Sequence, residues 1–291
     1  IAERLLSVLR PIFNGAVVNI AESQDTVSQN IREISPTVFF AVPRIWEKFH
    51  SRATIAAGDG TALERLAFRL AFAAAFRVVA LRAEGRPLPV WLRLAYRLAD
   101  RTVLHRTRKL IGLERTRYVT TGAAPIAPEL IRWYLALGLD MMQAYGMTET
   151  SGVASLPPPG VRRHGTVGVA LPGTAIRLSE AGEMLVRGPH VFQGYWNNPA
   201  KSAEAVVDGW LCTGDIGVID EDGFIRIVDR LKDIIITSGG KNVSPSEIEN
   251  ELKFSPYVSD AVVIGDARPY LTALVMIDYD NVTRYAQNHA I

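Results

Sequence analysis

Cysteine occurs once in 291 residues, at Cys212. One thiol cannot close an internal disulfide, which excludes a disulfide-stapled scaffold and fits a reducing compartment. The thiol is also a poor nucleophile candidate, because no His, Lys or Arg stands within several residues before it to favour the thiolate. No run of ~18 uncharged apolar residues occurs, so no membrane-spanning helix is predicted. The opening IAERLLSVLRPIF carries two charges in its first four positions and no small-residue cleavage site, a poor match to a secretory leader. It begins with Ile rather than Met and reads as cut at its start. No internal repeat is visible. These absences leave a cytoplasmic globular protein as the expectation.

What is present supports that class. Apolar residues make up 48% and charged residues 21% of the chain, enough of each for a sizeable core and a solvated surface. The net charge of +2 hides an asymmetry: residues 61–117 hold 13 Lys and Arg against 4 Asp and Glu, a net of +9. This block is rich in Ala, Leu and Arg and predicts two helices, LERLAFRLAFAAAFRVVALRAEG and WLRLAYRLADRTVLHRTRKL, parted by GRPLP at 85–89. Arg93, Arg97 and Arg101 recur every four residues on one face. A solvated helical hairpin fits this pattern. So does docking on an anionic membrane surface at the inner face or on an acidic partner, since interfacial helices set Arg beside Trp, Leu and Phe. No base-reading motif accompanies the block, so nucleic acid is not an expected partner.

Beyond residue 110 the pattern turns to α/β. RYVTTGAAPIAPEL reads as strand, glycine turn and a helix start at Pro128, with Gly138 ending the helix. LDMMQAYG reads as a short strand running into a loop. Residues 165–228 alternate strand-like runs (AIRLSE, EMLVRG, GVIDEDG, FIRIVDR) with turns, and predict an antiparallel β-rich subdomain in which DEDG at 220–223 closes a hairpin. DRLKD at 229–233 has linker composition and marks a boundary. The remainder reads as strand, glycine turn, helix capped by Ser244 or Ser246, strand, turn, strand.

The polar loops share one chemistry. TGAAP at 121–125 has side chains small enough for close backbone approach to a ligand. In YGMTE, Tyr145 offers a flat face for a base, Thr148 a hydroxyl for a phosphate oxygen, and Glu149 a hard oxygen suited to Mg²⁺. Asp215, in GWLCTGDIG, can accept from vicinal ribose hydroxyls. Arg230 adds a forked cationic donor for ribose or phosphate. GGKN at 239–242 is not a P-loop, because no Gly precedes Gly240 by five positions and Asn242 stands where Ser or Thr is required.

These segments occur together in a recognisable order. VFFAVPRIWEKF, TGAAPIAPE, QAYGMTET, GYWNNP, GWLCTGDIG and DRLKDIIITSGGKNVSPSEIE resemble the adenylate-forming superfamily, and within it the long-chain fatty acyl-CoA synthetases. The resemblance implies a partial adenylate-forming α/β fold, truncated at both ends. A large domain portion would span 1–229, with the basic helical insertion at 61–117 and the β-rich subdomain at 165–228. An incomplete small α+β domain would follow at 230–291. It implies that Gly122, Ala123 and Ala124 line the adenine and carboxylate pocket, with Gln143, Gly146 and Ile227 among the nucleotide-binding positions. Tyr145 would stack on adenine, Thr148 contact the α-phosphate, and Glu149 hold Mg²⁺. Asp215 would bind ribose with Arg230 nearby. Lys232 would be the hinge of the small domain, and Gly239 and Gly240 part of a loop that swings into the site.

The activity so implied joins a fatty acid to coenzyme A, with ATP and Mg²⁺, through an acyl-adenylate. A ligase for another carboxylic acid is the alternative enzyme reading, and an inactive nucleotide-binding or membrane-docking remnant the non-enzyme one. Two of the family's elements do not occur in these 291 residues: the Ser/Thr/Gly-rich phosphate loop ending in Pro-Lys-Gly, and the lysine near the end of the small domain. Lys253 is the last lysine, and Arg268 and Arg284 lie in a different local context. Residues 1–291 alone are therefore expected to show negligible adenylation.

Overall fold

A computed structural model describes residues 4–23, 26–158, 160, 161, 163 and 165–289, with the side chains of 288 and 289 left aside. The chain divides into two compact units. One joins Ile1–Val27 to Met142–Asp233, and the other joins Ser28–Met141 to Ile234–Ile291.

After α1 (Arg10–Asn14), the chain runs through α2 (Val27–Ile34), β1 (Val38–Ala41), α3 (Pro43–Gly58), α4 (Ala62–Ala83), α5 (Val90–Ala99), α6 (His105–Leu110), β2 (Tyr118–Thr121), α7 (Pro128–Ala136) and β3 (Met141–Gln143). β1 pairs in parallel with β2, and β3 completes the three-stranded order β1-β2-β3. The predicted helical insertion is present. Thr61 caps α4 in a reciprocal box with Glu64, which satisfies the first free amides. The second predicted helix runs on from α5 into α6, but through a π-turn at Asp100–Leu104. Arg108 ties α6 to its surroundings, reaching Asp100 at 2.7 Å and the Leu137 carbonyl at 2.6 Å. Pro128 stands at the first turn of α7, and Gly138 takes φ +86° just past its end, as the sequence implied.

The core of this unit centres on Trp46, fully buried on α3. Its indole N–H donates to the Ala41 carbonyl at 3.0 Å, and Tyr134 of α7 donates to its carbonyl at 2.7 Å. The PRIWEKF segment thus clamps α3 and α7 together. The Ile234–Ile291 part contributes β12 (Ile235–Ile236), β13 (Asn242–Val243), α9 (Pro245–Lys253), β14 (Val258–Ile264), β15 (Thr272–Ile277) and α10 (Tyr279–His289). Ser244, not Ser246, is the cap of α9. Helix α10 is an addition to the predicted pattern, started by Asp278, whose carboxylate accepts from the Asn281 amide at 3.0 Å. This part docks on α3. Phe254 stacks on His50 at 4.7 Å, and Asn281 donates to Ser51 and to the Pro256 carbonyl.

The other unit is the predicted β-rich region. β4 (Tyr145–Met147), β5 (Gly152–Leu156) and β6 (Val169–Ala170) form an antiparallel sheet. β7 (Ala175–Leu178), β8 (Glu183–Arg187), β10 (Trp210–Ile219) and β11 (Ile225–Arg230) form a second, ordered β11-β10-β8-β7, with β9 (Val206–Val207) on β10. The turn at 220–223 is a hairpin: the Asp220 carboxylate accepts from the amides of Asp222 and Phe224, and Gly223 takes φ +81°. Helix α8 (Pro199–Ala205) lies before β9.

Two readings are corrected here. Tyr145 and Gly146 lie in strand β4, not in a loop, because the segment pairs with β5 around a tight turn. Asp229 and Arg230 end strand β11 rather than belonging to a linker. Asp229 is buried and Arg230 faces Asp215 across the ladder, so two charges are accommodated at a strand end.

Candidate nucleotide-binding site

Asp215 is placed by a local break in regular pairing. The β8–β10 register slips between Cys212 and Ile216, and Gly214 adopts φ +71°, a backbone state that costs glycine little. Buried Thr213 donates to the Met184 carbonyl at 2.7 Å and accepts from the Asp215 amide at 3.1 Å. The Gly214 amide donates to the Glu183 carboxylate at 2.8 Å. Asp215 is thereby held 6% exposed, directly opposite Arg230.

Both carboxylate oxygens are engaged. The Tyr145 hydroxyl donates to Oδ2 at 2.8 Å, and Arg230 Nε lies 3.2 Å from Oδ1. Each oxygen keeps a further lone pair, so acceptor capacity remains for a ligand hydroxyl. Burial raises the Asp215 carboxyl above the usual carboxylate range, opposed by the Tyr145 hydrogen bond and the Arg230 charge. Burial also drives the Tyr145 phenol well above its ordinary value, so it is a donor at neutral pH. The Tyr145 ring packs against two buried clusters, Ala154/Val186/Leu211 and Val167/Met184/Ile225, and Ile227 packs on the second. The sequence-predicted Tyr145, Asp215, Arg230 and Ile227 thus meet in one unit.

Glu149 follows four residues after Tyr145, in the 3-10 turn Thr148–Thr150. Thr150, which the sequence reading left without a role, builds this turn: its buried hydroxyl accepts from the Met147 amide at 3.0 Å and lies within donating distance of the Met147 and Gly152 carbonyls. Ser151 takes φ +54° to close it. The result exposes Thr148 and leaves Glu149 half-buried. In QAYGMTET one threonine is thus buried to present the two residues before it. Gly146 is required for the same hairpin, since an added Cβ would lie 1.8 Å from the Gly152 carbonyl oxygen. Its smallness serves strand approach. Gln143 is half-buried at the end of β3, and Lys232 is exposed in the turn after β11. Burial pushes the Cys212 thiol up, so it has no thiolate character at neutral pH.

Gly122–Ala124 and Gly239–Gly240 belong to the other unit. Gly122–Ala124 follow the carboxyl end of β2, the side on which open parallel sheets bind ligands. Ala123 holds φ +69°, a strained state for a residue with a Cβ and one that collects at ligand-binding loops. Gly239 and Gly240 form the exposed β12–β13 turn, closed by Gly240 donating to the Thr237 carbonyl at 2.8 Å. Arg284 pairs with Asp59 at 3.4 Å.

The donor set bears on Mg²⁺. Among the described residues, no group of three or more His, Cys, Asp or Glu side chains converges. A lone carboxylate such as Glu149 fits Mg²⁺, which keeps several waters and binds through one or two carboxylates plus substrate phosphates. No described helix is long and apolar enough to cross a membrane.

The chain is similar to known proteins. A family model described as AMP-binding enzyme matches residues 1–196, and one described as AMP-binding enzyme C-terminal domain matches residues 232–290. The "Putative fatty-acid--CoA ligase fadD11" of Mycobacterium tuberculosis is 38% identical over 295 residues, covering 100% of this chain and 52% of its own. The "Long-chain-fatty-acid--CoA ligase FadD15" of Mycobacterium bovis is 39% identical over 259 residues, covering 88% and 42%. The crystal structure of the adenylation domain of a carboxylate reductase from Mycobacterium chelonae superposes with a TM-score of 0.66 at 22% identity, covering 90% of this chain and 38% of that one, a likeness of fold. The chain spans about half the length of the curated relatives it matches.

Proposed function

The chain belongs to the AMP-binding enzyme family, and on that premise we propose that its residues serve a long-chain fatty acid–CoA ligase. The observation that carries the reading is the meeting of Tyr145, Asp215 and Arg230 at one carboxylate, in a chain whose relatives are named as fatty acid–CoA ligases. In this reading the Tyr145 ring supports adenine, Asp215 accepts from the ribose hydroxyls, and Arg230 donates to ribose or phosphate. Thr148 donates to an α-phosphate oxygen. Glu149 would hold Mg²⁺, which when bound offsets charge as one anion approaches another.

A fatty carboxylate oxygen attacks the α-phosphorus of ATP, the bond to the bridging oxygen breaks, and pyrophosphate leaves. The CoA sulfur then attacks the acyl carbonyl of the acyl-adenylate, its proton is released, and AMP departs. Lys232 is the pivot we assign to the rotation between the two steps, with Gly239 and Gly240 in the moving loop.

Pyrophosphate release and thioester formation across an acid panel test this reading. The complete gene product should turn over palmitate in preference to aryl acids and amino acids. Residues 1–291 expressed alone should release no detectable pyrophosphate, since losing one preorganised donor costs on the order of 10²–10³ in rate. An aryl or amino acid preference would overturn the long-chain reading, and robust turnover by 1–291 would overturn the expectation for those residues alone.

We further propose that the 61–117 hairpin rests on an anionic lipid surface at the cytoplasmic face, where long-chain substrates partition. Supporting this, Val90, Trp91, Leu94 and Leu98 are exposed in a strip along α5, beside exposed Arg93, Arg97 and Arg101. Co-sedimentation with phosphatidylserine vesicles should fall as salt rises. Absent or salt-insensitive binding would remove the docking proposal.

A further inference from the structure

Glu149 is held by a segment 43 to 46 residues away. Its backbone carbonyl accepts from the Phe192 amide at 2.7 Å, and its Oε1 accepts from the Tyr195 hydroxyl at 2.8 Å. The Tyr195 ring is braced edge-on by Phe192 at 4.9 Å, and Phe192 packs on the buried cluster that also carries Tyr145 and Met147. The Tyr195 amide donates to Ser202 Oγ at 2.8 Å, and an added Cβ on Gly194 would lie 2.8 Å from that same oxygen. In GYWNNP the two aromatics therefore part: Tyr195 points to Glu149, and Trp196 is 98% exposed. Nothing in this arrangement needs a tyrosine hydroxyl for packing alone, since Tyr195 is itself 40% exposed.

We propose that Tyr195 is a positioning residue for Glu149, fixing one carboxylate oxygen so that the other is presented to a divalent cation. The proposal rests on the reading above that Glu149 meets the metal of the nucleotide. Partners that orient a metal-binding side chain typically change metal affinity by about 10- to 100-fold when removed, because the carboxylate otherwise samples several rotamers.

The test is equilibrium binding of Mn²⁺, followed by the loss of its free-ion EPR signal, with a non-hydrolysable ATP analogue present, on the complete gene product. Tyr195→Phe keeps the ring against Phe192 and removes only the hydroxyl. It should raise the Mn²⁺ dissociation constant roughly 10-fold. Its melting temperature and metal-free nucleotide affinity should stay at the unsubstituted values, and Trp196→Phe should change neither constant. Glu149→Gln separates the two levels of the argument. If Glu149→Gln binds Mn²⁺ as the unsubstituted protein does, or the unsubstituted protein binds none, the metal role of Glu149 fails and this inference with it. If Glu149→Gln weakens binding and Tyr195→Phe does not, only the positioning role is overturned.

Discussion

The Tyr145 hydroxyl donates to Asp215 Oδ2 at 2.8 Å, across 70 residues of sequence. This bond joins strand β4 to strand β10 and gives the candidate adenine platform and the candidate ribose acceptor one shared geometry. Tyr145→Phe leaves a buried acceptor with one partner fewer and should destabilise the protein by about 1 kcal/mol in denaturant unfolding. Tyr145→Ala should also weaken ATP binding by on the order of 10-fold, through loss of the stacking face.

The raised Asp215 carboxyl gives two opposite pH dependences. Its folded pKa lies above the unfolded one, so its contribution to stability is complete below the unfolded pKa and is lost as pH rises through the folded value. Ribose binding by the ionised carboxylate runs the other way, strengthening as pH rises through the same window. Asp215→Asn should flatten both profiles, read by denaturant unfolding and nucleotide titration from pH 3 to 7.

His50 supplies a separate acid-sensitive element. It is buried between Trp133 and Phe254, and burial lowers its pKa to about 4. The unfolded state binds the proton more readily, so stability should be full above the ordinary pKa of 6.5 and fall as pH drops towards 4, by roughly 3 kcal/mol in all. His50→Phe should abolish that fall. Denaturant unfolding at pH 7 and pH 4.5 checks it.

Gly146 and Gly240 should respond differently to alanine. At Gly146 the new Cβ meets a backbone oxygen at 1.8 Å, so the β4–β5 hairpin must open and the protein should lose several kcal/mol or fail to fold. At Gly240 nothing lies within 4 Å, and only the φ of +77° is unfavourable, a cost of about 1 kcal/mol. Melting temperatures of the two variants decide this.

Local chemistry was legible in the sequence. Pro128 and Gly138 mark the ends of α7, Asp220 and Gly223 the hairpin, and Ser244, one of two candidates, the cap of α9, because caps and turns are decided by neighbours within a few residues. Tyr145 was misread as loop because the partner that makes it a strand is β5, beyond a turn. Arg230 was misread as linker because its counter-charge lies across a ladder at Asp215. Tyr195 was visible within GYWNNP, yet its contact with Glu149 is a tertiary event that no local pattern encodes. Helix α10 was missed because YDNVTRYAQNH is held by Asp278, Ser51 and Asp59 contacts rather than by a clear apolar repeat.

Calorimetric titration of ATP into the protein and into Asp215→Ala measures whether this carboxylate holds the nucleotide. A hydrogen bond to a charged group contributes about 1.5–3 kcal/mol, so ATP should bind saturably and Asp215→Ala should weaken binding by at least ~10-fold. Equal dissociation constants for the two proteins, or no binding to either, would contradict it.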